Sequence, residues 1–239
     1  MAEKLVAQFE KALRKIASPA AVADVTRYFH PDPHSKSKDN KFLGVSIGKI
    51  FPIAKKHAGM SRAEIETLLE SPYYEVRMGG AAIMDFQARV KGITPEQRKA
   101  LYSLYLNRHD RINNWDLVDR AAPYVVGGYL IDKPRTPLTK LAKSKNPWER
   151  RTAIVSTYFF IRAGETDETF RIAELLVKDK HELVQKAVGS WIREAGKKDP
   201  ARLLAFLNKH ATTMPRTMLR YSVEKLSAAQ RAKYLSAAK

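Results

Sequence analysis

The stretch Tyr74-Glu75-Val76-Arg77-Met78-Gly79-Gly80-Ala81 decides the fold, because four later stretches share its shape. They are Trp115-Asp116-Leu117-Val118-Asp119-Arg120-Ala121, Trp148-Glu149-Arg150-Arg151-Thr152-Ala153, Leu183-Val184-Gln185-Lys186-Ala187-Val188-Gly189 and Thr217-Met218-Leu219-Arg220-Tyr221-Ser222. Each reads as the opening of a helix, with small residues where a second helix must come close. With Arg77, Asp119, Arg151, Lys186 and Arg220 taken as equivalents, the steps are 42, 32, 35 and 34 residues. A loose period of that size belongs to helix-pair repeats, which stack into a curved solenoid with one concave face. The alternative is an ordinary helical bundle whose helices share a length by chance.

Working outward, the remaining segments also have a helical period. Leu5, Phe9, Leu13 and Ile16 make one apolar stripe in residues 3–16. Ser61 with Glu64, and Thr94 with Gln97, form capping boxes that open helices at Arg62 and at Pro95, and proline suits a first helical position. Breaks fall at Ser71-Pro72, Lys91-Gly92, Lys133-Pro134, Asn146-Pro147, Gly164, Asp199-Pro200 and Met214-Pro215, with helices of about 10–18 residues expected between them. No segment alternates as a strand would. The expectation is an all-α chain: a single helical-repeat domain over residues 1–239, a solenoid with a concave basic groove, its N-terminal helices (1–70) less regular.

The 239 residues include 43 Lys or Arg against 25 Asp or Glu, a net charge of +18, and no cysteine. Disulfides, thiolate zinc sites and cysteine nucleophiles are therefore excluded. No run approaches the roughly 18–20 apolar residues of a membrane span, and the N-terminus lacks the apolar core of a signal peptide. A soluble cytoplasmic, nucleoid-associated monomer without membrane association is expected. So basic a chain attracts polyanions, nucleic acid first.

In the repeat register four positions are basic and one is acidic. A stripe of Arg77, Arg151, Lys186 and Arg220 along one face would follow a phosphate backbone; the plainer alternative is a solvated helix face. Asp119 is the anomaly, since a carboxylate repels phosphate. Trp115, four residues earlier, shares its helix face. An indole beside a carboxylate suits a cationic ligand. The competing reading pairs Asp119 with Arg120 or Arg151 and makes Trp115 core filling.

The run Asn114-Trp115-Asp116-Leu117-Val118-Asp119, followed by Pro147-Trp148-Glu149-Arg150-Arg151-Thr152-Ala153-Ile154 and Lys186-Ala187-Val188-Gly189-Ser190-Trp191-Ile192-Arg193-Glu194, resembles the AlkD-like family of DNA glycosylases, enzymes built from HEAT-like repeats. The resemblance extends from about Tyr28 to Leu226 and is strongest over 107–226. It implies excision of alkylated purines such as 3-methyladenine and 7-methylguanine from double-stranded DNA, without full enclosure of the base. Residue by residue, it implies that Asp119 is the catalytic aspartate, that Trp115 and Arg151 work with it, and that Trp148 and Tyr28 lie near DNA. Phe42-Leu43-Gly44 matches a family segment, whereas Gly48-Lys49-Ile50-Phe51-Pro52 departs from the usual continuation. Family members often carry a lesion-lining tryptophan where this chain has Ser190, its indole standing one residue on at Trp191. One residue rotates a helical side chain by about 100°, so either Ser190 widens the lesion site or Trp191 is a core residue on the stripe of Ala187 and Ala195.

The chemistry this implies needs no metal and no other cofactor. A purine alkylated on a ring nitrogen is cationic and leaves readily, so what needs stabilising is the positive charge that develops on the sugar. Two rivals stand beside this reading: a non-catalytic relative that binds damaged or branched DNA, and a helical scaffold for acidic partners. His30-Pro31-Asp32-Pro33-His34 has metal-capable side chains in a proline-rich loop, and no metal site is expected there. Ser35-Lys36-Ser37-Lys38-Asp39-Asn40-Lys41 is a polar run suited to phosphate or to solvent. Tyr158-Phe159-Phe160-Ile161, Tyr102 and Tyr105 read as core.

Overall fold

The structure, a computed structural model, describes residues 2–29 and 40–237. His30–His34 and all but the last two residues of the polar run that follows lie outside the described residues. Among the described residues there are helices and connecting loops and no strand; one isolated bridge pairs Lys41 with Tyr73. The all-α reading holds.

The chain divides into two compact units, Met1–Tyr129 and Leu130–Lys239. The first holds α1 (Ala2–Lys15), α2 (Val22–Thr26), α3 (Ile47–Lys56), α4 (Arg62–Glu70), α5 (Tyr74–Ala88), α6 (Pro95–Asn107) and α7 (Trp115–Ala122), which runs on into a π-helical turn at Pro123–Gly127. A single turn, α8 (Gly128–Leu130), sits at the boundary. The second unit holds α9 (Thr136–Ala142), α10 (Pro147–Ser156), α11 (Tyr158–Arg162), α12 (Asp167–Leu176), α13 (Glu182–Gly196), α14 (Pro200–His210), α15 (Arg216–Ser222) and α16 (Ala228–Ala237).

All five repeated stretches open helices: α5 begins at Tyr74, α7 at Trp115, α10 one residue before Trp148, α13 one before Leu183 and α15 one before Thr217. Both capping boxes form, with Ser61 accepting from the Glu64 N–H and Thr94 from the Gln97 N–H. Several helices are shorter than their spacing suggests, with seven residues in α9 and eight in α7. For α7 the reason is Pro123, which has no N–H to give the carbonyl four residues back and so forces the wider π turn.

Each unit is organised on one central helix. In the first, α5 is buried along almost its whole length and packs on α3, α4 and α7. In the second, α13 packs on α10, α12, α14 and α15. The small residues of the repeated stretches sit at these crossings: a Cβ on Gly189 would lie 2.5 Å from the Met218 carbonyl oxygen and 2.6 Å from Tyr221 Cβ.

Within the first unit, the fully buried Glu75 carboxylate is the acceptor for a loop. It takes the N–H groups of Leu43 (3.0 Å to each oxygen), Gly44 (2.9 Å) and Val45 (3.3 Å). Gly44 has φ +73°, and any Cβ there would strike the Ser18 carbonyl, which gives Phe42-Leu43-Gly44 a physical reason. Glu75→Ala would strand three buried donors, so unfolding in urea should register a loss of at least about 3 kcal/mol. Gly189→Ala should cost about 1–3 kcal/mol by the same measurement, through overpacking against α15.

Candidate functional site

The candidate site is built on α7. Asn114 caps its start with extended backbone, and its side chain donates to the Asp116 carboxylate at 2.9 Å. Asp116 is buried in the first turn, where helix N-terminal N–H groups favour an anion. Its Oδ1 also accepts from the Leu117 N–H at 2.8 Å, and its Oδ2 from the Tyr74 hydroxyl at the head of α5. Burial nonetheless raises the Asp116 pKa to about 6, with the nearby Asp119 charge adding to the rise. Burial, the main cause, and the Asp116 carboxylate together push the Tyr74 hydroxyl above its ordinary range.

The next turn of α7 is held by the same partner helix. Arg120 reaches Asp85 of α5 at 2.8 Å and lies over the Phe51 and Phe86 rings at 4.2 and 4.6 Å. Asp85 also takes Arg89 at 2.7 Å, and burial raises its pKa. Arg120 is thus committed to Asp85, so its pairing with Asp119 is set aside.

With Asp116 and Arg120 turned to α5, and Leu117, Val118, Ala121 and Ala122 buried, Trp115 and Asp119 share the remaining face, both half-buried. Trp115 is not core filling: its Nε1 donates to the Tyr28 carbonyl at 2.9 Å, which fixes the ring. The structure therefore brings Tyr28 to Trp115 through its main chain. The Tyr28 side chain is 55% exposed, beneath the Arg27 guanidinium at 5.0 Å. Sequence reasoning missed Asp116, Tyr74 and Pro123. The signals were present: polar Asn114 and Asp116 flank the tryptophan, and a proline follows Asp119 by four residues.

The basic stripe needs correction. Arg77 is 1% exposed, and its guanidinium is spent on the Ser71 and Pro72 carbonyls (2.9 and 3.2 Å) and on Asn40 and Asn113. Burial, with Arg111 nearby, lowers its pKa to about 10. It is a structural cation, not a phosphate contact. Arg151 is 7% exposed, with Nη1 donating to the Leu183 carbonyl, so it does not form part of an open stripe either. Lys186 is half-exposed and paired with Glu182 at 2.7 Å, and Arg220 is exposed on α15.

In the second unit Trp148 is also reassigned. At 1% exposure it is core, edge-on to His181 with ring centroids 5.4 Å apart, so it presents no face to a lesion. Ser190 and Trp191 are both half-buried, and Trp191 lies tilted against Tyr158 at 5.1 Å while Ala187 and Ala195 are fully interior. Trp191 therefore stands at the edge of the core. Phe160, Ile161 and Tyr105 are core as expected; Tyr158, Phe159 and Tyr102 are only half-buried, Tyr102 stacking on Tyr129 at 4.2 Å. No cluster of three metal-capable side chains occurs among the described residues, and no helix among them is long and apolar enough to cross a membrane.

Comparison with known proteins gives two findings. The family described as DNA alkylation repair enzyme matches residues 9–226. Among solved structures, "Predicted DNA alkylation repair enzyme from Enterococcus faecalis" superposes with a TM-score of 0.65 at 16% identity, covering 89% of this chain and 97% of that one. At that identity the likeness is one of fold. No curated protein matches.

The reassigned cations carry a test. In duplex DNA binding measured against salt, Lys186→Ala and Arg220→Ala should each reduce the slope of log K against log salt by about one. Arg77→Met should lower stability and leave that slope unchanged; an equal change in slope would return Arg77 to the binding face.

Proposed function

The chain belongs to the family of DNA alkylation repair enzymes, and from that premise we propose that it is a monofunctional DNA glycosylase. Its substrates are alkylated, cationic purines of the 3-methyladenine and 7-methylguanine type in duplex DNA, and it hydrolyses their N-glycosidic bond without fully flipping the base. It acts as a monomeric helical-repeat solenoid with DNA along a basic groove.

The observation that carries this reading is the outer face of α7, where Trp115, its ring fixed by the Tyr28 carbonyl, shares a helix side with Asp119. As the C1′–N bond breaks, its electron pair returns to the cationic ring and a neutral base departs, so no acid is needed to protonate it. The charge left on the sugar is oxocarbenium-like. A carboxylate about 4 Å from a unit positive charge contributes about 4 kcal/mol at the effective dielectric near a protein surface, about a thousandfold in rate. Asp119 supplies that charge and orients a water, whose oxygen bonds to C1′ while its proton passes to the carboxylate and then to solvent. Trp115 offers its π face to the cationic base or sugar.

Arg151 is retained from the resemblance, its burial favouring hydrogen bonding within the fold over open phosphate contact. Ser190 and Trp191 shape the choice of lesion; Tyr28, Lys186 and Arg220 contact the duplex.

Under single-turnover conditions on methylated duplex DNA, Asp119→Asn should slow base release by roughly 100-fold or more and bind DNA at least as tightly as the wild type. Absence of release above the spontaneous rate in the wild type, with binding intact, would instead identify a non-catalytic binder of damaged or branched DNA.

A further inference from the structure

We propose that Tyr74 and Asp116 form a positioning pair that locks the Trp115–Asp119 face, and that protonation of Asp116 unlocks it. The inference rests on the glycosylase reading of that face and adds to it a control that lies behind the reacting groups.

The geometry is a short chain of hydrogen bonds. Tyr74 opens α5 and donates to Asp116 Oδ2; Asp116 Oδ1 accepts from the Leu117 N–H and from Asn114. Asn114 Nδ2 also reaches the Tyr28 carbonyl at 3.4 Å, the same oxygen that takes the Trp115 indole N–H at 2.9 Å. One carboxylate thus joins the head of α5, the first turn of α7 and the main-chain acceptor that orients the indole. The Tyr74 ring is held in turn by Phe29 and Phe42, with centroids at 5.6 and 5.8 Å. Every neighbour of Asp116 in this network is a donor, so the network suits the ionised form. A proton on Oδ2 would reverse that bond, so that the Tyr74 hydroxyl accepts and its own proton loses the Asp116 acceptor.

The groups facing Asp116 are Tyr74 and Arg77 from α5, the Tyr28 carbonyl through Asn114, and Asp119 from its own helix. Glu75 and Arg111 act one step away, on Tyr74 and Arg77. No histidine is among them. Burial raises Asp116 to about 6, whereas its hydrogen bonds, the Tyr74 bond largest, pull the other way. The sign follows. Above pH 6 Asp116 is ionised and the network intact; below it the proton binds, and the indole and Asp119 lose their fixed setting.

Two measurements test this, one independent of activity. The Trp115 indole N–H resonance, assigned by its loss in Trp115→Phe, should shift with a midpoint near pH 6. That shift should vanish in Asp116→Asn and move to higher pH in Tyr74→Phe, which keeps the ring packing. The single-turnover rate of base release should fall on an acidic limb with the same midpoint, abolished and shifted by the same two variants. A merely structural role would lower stability and leave both midpoints in place. An indole signal that does not titrate between pH 5 and 7 overturns the proposal, as does an acidic limb with its midpoint near pH 6 that persists in a folded Asp116→Asn variant. If the wild type releases no base at any pH, the glycosylase reading fails, and the indole titration alone decides whether Asp116 governs the setting of Trp115.

Discussion

The rotation of one eight-residue helix about its own axis is the constraint on which the functional reading depends. Asp116 and Arg120, one turn apart, both point to α5, where Tyr74 and Asp85 receive them. At about 100° per residue, fixing those two positions sets Trp115 and Asp119 together about a quarter-turn round the helix. A helix this short has little stability of its own. Its setting is therefore imposed by tertiary partners: a buried carboxylate at one end, a guanidinium between two phenylalanine rings at the other, and the π turn forced by Pro123 just beyond. Burying Asp116 and Asp85 is costly, as their raised pKa values record. What that cost secures is direction.

The positive charge has two destinations. Part faces solvent, as at Arg220. Part is drawn inward to satisfy the carbonyls that helix ends leave open. Arg111 reaches the Leu69, Glu70 and Ser71 carbonyls at 3.0, 2.8 and 3.1 Å, and Arg77 shares the last of these. In the second unit, Arg150 binds the Ser144 and Lys145 carbonyls after α9 while gripping Asp179 with two nitrogens. Arg77 within the register, and Arg111 and Arg150 outside it, thus stitch turns to helices. Only the exposed remainder is available to phosphate.

The helix starts and breaks were legible because they rest on local rules: capping boxes at Ser61 and Thr94, proline at first helical positions, and glycine at positive φ after α5 and α11. The shared face of Trp115 and Asp119 was legible because helical spacing determines it. Arg77 and Trp148 were misread, and Arg151 was set on an open stripe, because spacing gives a side chain's azimuth on its helix and not what covers it. A long guanidinium can turn back to nearby carbonyls, and an indole at a helix start can face the core. Asp116 was passed over for a related reason: a first-turn aspartate usually serves the helix end, and its burial depends on Tyr74, 42 residues away.

If this face of α7 breaks a glycosidic bond, the products of the reaction show it most directly. Methylated duplex DNA incubated with the wild-type protein should yield free 3-methyladenine or 7-methylguanine and abasic sites in equal amounts, faster than spontaneous loss. Repair that restores unmodified purine in the strand, or binding with neither free base nor abasic sites, would contradict it.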